Sequence, residues 1–113
     1  MIELPWPPRE LSPNARVHYH AKARAAKTYR DGTYWIARAH GPQFLIAEGV
    51  IPIMVEFFPP DRRHRDDDNM IGAFKAGRDG IADALAVNDR RFRPSYHFRD
   101  PIKGGKIVVT VMP

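Results

Sequence analysis

Eight consecutive residues, Arg62-Arg63-His64-Arg65-Asp66-Asp67-Asp68-Asn69, concentrate the chemistry this chain can offer. Asp61 precedes them, and Lys75, Asp79, Asp83 and Asp89 follow. Carboxylates this close repel one another unless positive charge stands between them. The neighbouring arginines can supply that charge, and so can a hard divalent cation, which takes oxygen ligands. A cation beside a basic strip suits chemistry on a phosphate backbone. Asp66 and Asp68 point the same way in an extended chain, but diverge by roughly 200° inside a helix. They serve as a pair only where a strand exit runs into a helix. A third oxygen ligand must come from elsewhere, and Asp89 is the candidate, in the turn after that helix. The competing account is an acidic N-cap balanced by arginines. Lys75 divides in the same way. It is either an exposed helix lysine or, beside metal-held carboxylates, a holder of the scissile phosphate.

Other chemistries find less support. A calcium loop counted from Asp66 would need Asp or Asn fifth, Gly sixth and Glu twelfth, where the chain has Met70, Ile71 and Gly77. His18 and His20 lack further zinc ligands at a suitable spacing and read as loop or phosphate contacts. The chain has no cysteine, which excludes thiolate zinc sites and disulfides. No Gly-rich phosphate loop follows a strand, and no Gly-x-Ser-x-Gly elbow occurs.

These residues need a scaffold, and 113 residues supply one domain, 1–113. An apolar fraction of 43% and a charged fraction of 27% are those of a soluble globular protein with a modest core. No apolar run approaches the roughly 20 residues of a membrane span. The first residues have neither the basic nor the apolar region of a secretory signal, so the expected location is the cytoplasm. The net charge of +5 is unevenly spread. Residues 9–38 hold Arg9, Arg16, Lys22, Arg24, Lys27, Arg30 and Arg38 against Glu10 and Asp31. Acids dominate from 66 to 89. A basic surface next to an acidic pocket fits a polyanion partner, although a charge run also occurs as a plain solvated face.

The pattern along the chain predicts strand, helix, strand, helix, strand, strand. Ile2, Leu4 and Trp6 alternate in residues 1–8. Residues 9–20 read as a loop. Residues 21–40 form a helix candidate with Ala25, Tyr29, Thr33, Ile36 and His40 near one face and Trp35 beside it, stopped by His40-Gly41-Pro42. Residues 49–58 are a strand, apolar on both faces and so central. Pro59-Pro60 stops it. A second helix runs over about 67–86, with Ile71, Phe74, Ile81 and Leu85 as its core stripe and Gly72, Gly77 and Gly80 allowing close approach. Residues 87–93 form a turn, Tyr96 and Phe98 mark a half-buried strand, and residues 106–112 end the chain as a strand. The expected fold is α/β of the α+β type, a mixed sheet of about four strands with two helices packed on one face.

Three segments carry a family resemblance. Leu4-Pro5-Trp6-Pro7-Pro8, the run from Pro60-Asp61-Arg62-Arg63 through Arg65-Asp66-Asp67-Asp68-Asn69, and Asp83-Ala84-Leu85 followed by Asp89 closely resemble the RusA-type Holliday junction resolvases of bacteria and their phages. Gly104-Gly105-Lys106-Ile107-Val108-Val109-Thr110 is similar to that family's last strand. The resemblance implies a symmetric homodimer that cleaves DNA four-way junctions with Mg²⁺, in recombination and repair, with Mn²⁺ as a possible substitute. It implies metal ligands at Asp66, Asp68 and Asp89 and an amide match at Asn69. Counting back from Asp89, it places the helix lysine at Lys75. In that scheme Lys75 stabilises developing charge. Arg63, Arg65 and the basic residues Arg16, Lys22, Arg24 and Lys27 grip phosphates. The alternatives are a non-catalytic DNA-binding module with an acidic cap, and a metal nuclease acting on other branched or linear DNA.

Overall fold

Alternating apolar residues build four strands, β1 (Ile2–Pro5), β2 (Ile51–Phe58), β3 (Phe92–Phe98) and β4 (Lys106–Val111). The computed structural model describes residues 1–40 and 48–112. The strands form one mixed sheet in the order β1-β4-β2-β3, with β4 antiparallel to both neighbours and β2 parallel to β3. Register sets Val109 between Ile2 and Val55, and Ile107 between Leu4 and Phe57. All six side chains are almost fully buried and share one face of the sheet. The helices cover that face, so the expected α+β architecture is the one observed.

The long helix α1 (Tyr19–Ala39) buries Tyr29, Thr33 and Ala37, a stripe spaced by four. Its first turn starts two residues earlier than the pattern predicts, because His18 caps it. The His18 ring nitrogen Nδ1 accepts the backbone N–H of His20 at 3.2 Å. Trp35 lies 67% exposed rather than beside the core. The expected Gly41-Pro42 stop lies outside the described residues. Residues 9–20 are not all irregular, since Arg9–Leu11 make a short 3-10 turn that buries Leu11.

A parallel pair needs a crossover, and two helices supply the one between β2 and β3. They are α2 (Asp67–Ala73) and α3 (Lys75–Leu85). The sequence pattern predicts one helix over 67–86, and the split at Phe74 has a packing cause. The Phe74 N–H is shared between the carbonyls of Met70 (3.2 Å) and Ile71 (3.1 Å), a tightening of the last turn of α2. Its ring stands edge-on to Phe57 on the sheet, 6.2 Å away, and to Tyr29 on α1, 6.5 Å away. Such aromatic pairs are worth about 0.5–1.5 kcal/mol beyond burial, enough to offset one distorted backbone bond. Gly77 leaves room for this ring, since a Cβ there would collide with Phe74 Cε1. Gly80 lets α3 approach α1, because a Cβ there would meet the Arg30 carbonyl oxygen at 2.5 Å. Met70 is buried, whereas the expected core residues Ile71 and Leu85 are only half-buried.

Two strand expectations change. β2 is internal, as expected, but only Ile51, Ile53, Val55 and Phe57 are buried, and its other face is half-exposed. β3 begins at Phe92, inside the stretch expected to be a turn, and Phe92 is 1% exposed. Pro94 is tolerated because β3 is an edge strand. Among the described residues no helix is long and apolar enough to cross a membrane.

Candidate functional site: a charged cleft at the start of α2

Beyond β1 the chain stiffens through Trp6-Pro7-Pro8, and beyond β2 through Pro59-Pro60. The two exits lie side by side. Trp6 meets Phe57 edge-on at 6.2 Å, which anchors it to the core. Gly105 closes the contact from the third side. A Cβ there would lie 3.0 Å from the Pro60 nitrogen and 3.1 Å from Trp6 Cβ, and its φ of +68° suits glycine. Between these exits and the first turn of α2 opens a cleft of about 570 Å³. Trp6, Pro8 and Arg9 line one side, and Arg63, His64, Asp66 and Asn69 the other. Segments some fifty residues apart in sequence thus meet at one site.

The loop that carries the charged cluster is folded on its own side chains. Asp61 accepts the Arg63 backbone N–H at 2.9 Å and Arg65 Nη1 at 2.8 Å. The same Nη1 donates to the Arg63 carbonyl at 3.1 Å, and the guanidinium lies over the Trp6 ring, 5.8 Å from its centre. Arg65 is only 15% exposed. Its Nη1 is committed to the loop. Arg63 keeps its side chain exposed at the cleft, as does Arg9. Arg65 and then the Arg63 N–H hold the Asp61 carboxyl below the usual carboxylate range.

Asp66 is the N-cap of α2, in extended backbone (φ −73°, ψ 139°), and Asp68 lies in the first helical turn. The junction predicted from the sequence is present, but only Asp66 is on its extended side. Asp66 makes no side-chain cap bond, and its Oδ1 lies 3.1 Å from His64 Nε2. Asp67 and Asp68 meet the positive end of the helix and are exposed.

Asp89 follows α3 and opens a second 3-10 turn, Asp89–Arg91. Asn88 caps that turn, its Oδ1 accepting the Arg90 N–H at 2.9 Å. Lys75 Nζ reaches Asp89 Oδ2 at 2.9 Å and Asp79 Oδ1 at 2.5 Å. Arg78 adds Nε at 3.8 Å from the same Asp89 oxygen, and its Nη2 donates to the Asp89 carbonyl at 3.1 Å. Lys75, foremost, holds the Asp89 carboxyl below its ordinary value. Desolvation works against the Lys75 charge, but the bonds from Asp79 and Asp89 outweigh it and raise its pKa. Arg30 on α1 extends the network, with Nε 2.7 Å from Asp83 Oδ2 and Nη1 3.9 Å from Asp79.

The structure therefore joins Lys75 to Asp89, and Asp66 to the cleft. It does not join Asp66, Asp68 and Asp89 into one ligand set. Among the described residues no group of three or more His, Asp or Glu stands close enough to hold a metal ion. As placed, Asp66, Asp68 and Asp89 do not form the three-carboxylate ligand set expected from the sequence, and Asp89 is paired with Lys75 instead. Of the predicted DNA-binding residues, Arg16, Arg24 and Lys27 are exposed on α1 or just before it. Lys27 is paired with Asp31 at 2.6 Å, and Lys22 Nζ donates to the Ser12 carbonyl at 3.4 Å. The role of Asp79 was missed, although its i,i+4 spacing from Lys75 signals a pair. Trp6 as a cleft wall left no such local signal.

Fold and site together define a small α+β protein with a charged cleft where two strand exits meet a helix start. The chain belongs to the same family as an uncharacterized protein of Xylella fastidiosa, to which it is 42% identical over 113 residues, 97% of this chain and 74% of that protein. No protein-family model matches the chain.

Proposed function

We propose that the protein is a structure-specific endonuclease that nicks DNA four-way junctions as a homodimer. The observation that carries this reading is the cleft itself. The proline-tryptophan segment and the Arg-Asp-x-Asp-Asn segment, which together bear the resemblance to RusA-type resolvases, line one cavity. Arg9 and Arg63 offer it exposed positive charge for a phosphate backbone. Asp66 with His64 offers a carboxylate-imidazole pair beside that phosphate. Lys75 enters this reading through the resemblance, as a cation that would offset developing negative charge, although it is paired with Asp79 and Asp89 outside the cleft lining. A junction has near two-fold symmetry, so an isologous dimer would present one cleft to each of two strands.

Mg²⁺ dependence belongs to this reading through the resemblance alone, since the three aspartates do not form a ligand set as folded. That same observation favours a second reading, a DNA-binding module whose carboxylates are structural. One experiment separates the two. A synthetic four-way junction is incubated with the protein and Mg²⁺, with EDTA as control, and its mass in solution is measured. Paired symmetric nicks, lost in EDTA and reduced at least a hundredfold in Asp68→Asn, support the nuclease. Binding without cleavage supports the module. Equal cleavage of linear duplex assigns a nuclease of other specificity, and a monomeric mass removes the dimer.

A further inference from the structure

Tyr19 and its two neighbours form a surface that the cleft does not use. Tyr19 opens α1 with 69% of its surface exposed. Its ring lies 4.7 Å from that of His18, nearly parallel at 26°, and 4.0 Å from that of His20. The His18 ring is oriented by the hydrogen bond it accepts from the His20 N–H. None of the three belongs to the hydrophobic core, so packing does not account for them. No Asp or Glu occurs between Glu10 and Asp31, while the exposed Arg16 and Arg24 flank the three rings in sequence.

Planar rings flanked by cations are how an unpaired nucleic-acid strand is held, because every base presents a π-face for stacking. A duplex hides those faces in its own stack. The surface also lies close to the cleft. Asn14 lines the cleft, and the four residues from there to His18 span at most about 14 Å. The bond from Lys22 to the Ser12 carbonyl ties the first turns of α1 to the same rim. A Cβ on Gly72 would meet Pro13 Cγ at 2.7 Å, so this rim also sits tight against α2.

We propose that His18, Tyr19 and His20 form a stacking platform for unpaired nucleotides of a DNA strand whose backbone runs into the charged cleft. The inference rests on the nucleic-acid reading above and adds what that reading lacks, a means of preferring opened or branched DNA over plain duplex. The test is binding in EDTA, so that cleavage plays no part. The probes are a junction carrying unpaired 2-aminopurine at the branch, a linear duplex and a thymidine oligomer. The wild-type protein is expected to quench the 2-aminopurine and to bind the oligomer. Tyr19→Ala, at an exposed position, should bind the junction and the oligomer about tenfold more weakly and the duplex unchanged, whereas Tyr19→Phe should behave as wild type. Arg63→Ala should weaken all three probes alike. Unchanged binding of junction and oligomer by Tyr19→Ala overturns the platform and leaves the nuclease reading standing. If the wild-type protein binds none of the three, the nucleic-acid reading falls and the platform with it.

Discussion

Lys75 touches carboxylates on two elements, Asp79 one turn along α3 and Asp89 beyond its end. One ammonium thus holds Asp89 in place, and removing it should leave that carboxylate without its nearest cation. In Lys75→Met the Asp89 carboxyl, followed by NMR titration, is expected to move up toward ordinary values, and junction cleavage should fall by about 10²–10³-fold. An Asp89 titration identical in the two proteins would remove the pair from the mechanism. Asp61, Asp83 and Asp89 are all depressed, chiefly by Arg65, Arg30 and Lys75 respectively. A carboxyl whose folded pKa lies below its unfolded value stabilises the fold above that unfolded value, about 3.9, and the contribution is lost as pH falls through the folded value. The unfolding temperature should therefore drop as pH is lowered below about 4, and less so in Asp83→Asn. Because Arg30 and Asp83 are 46% and 40% exposed, their pair should contribute only about 0.2–1 kcal/mol.

At the scale of elements, the site depends on how α1, α3 and the strand exits are held. The Tyr29 hydroxyl on α1 donates to the Pro5 carbonyl at 2.6 Å, where β1 gives way to Trp6. Burial pushes the Tyr29 phenol well above its ordinary pKa, which keeps the donor proton in place. Gly80 sets the α1–α3 spacing, and a Cβ there would meet the Arg30 carbonyl oxygen at 2.5 Å and the Cβ of the buried Thr33 at 2.9 Å. Gly80→Ala is expected to cost about 1–3 kcal/mol in denaturant unfolding and to loosen the Arg30–Asp83 contact with it. Gly32→Ala, where a Cβ meets nothing within 4 Å, should instead be neutral or stabilising by up to about 1 kcal/mol. Equal effects at both positions would refute close helix packing. The first helix was legible in a face that includes Tyr29 and Thr33, and the second strand in the apolar run of residues 49–58, while the burial of Ala37 and of a single face of β2 was not. Nor was the division at Phe74, because it follows from rings on two other elements.

Over the whole molecule, charge is separated. Cations gather on α1, where Lys22, Arg24, Lys27, Arg30 and Arg38 stand against Asp31 as the only acid of that helix, and acids gather at the start of α2, in Asp66, Asp67 and Asp68. Asp79 and Asp83 on α3 and Asp89 beyond it are already paired to Arg30, Lys75 and Arg78, so exposed cations such as Arg9, Arg16, Arg24 and Arg63 are the ones open to a polyanion. DNA affinity should then fall steeply with salt, with a log–log slope of about −0.9 for each phosphate neutralised on duplex. Arg63→Ala should reduce that slope by about one, and Arg65→Ala should change it less, because Arg65 is 15% exposed and its Nη1 is committed to the loop. The reverse order would mean that the loop opens on binding DNA.

The sequence by itself determined the succession of strands and helices apart from the break at Phe74, the buried face of β1, the helix start at Asp66 and the basic character of α1. Each of these follows from local physics, namely side-chain period, proline and capping chemistry, and charge count. Only the tertiary structure decided that Trp6 and Arg65 meet at one cleft and that Phe74 breaks a helix. It also decided that Lys75, Asp79 and Asp89 form one ion-paired group apart from Asp66 and Asp68. Those outcomes depend on which surfaces meet, and a carboxylate takes whichever cation the packed chain brings nearest.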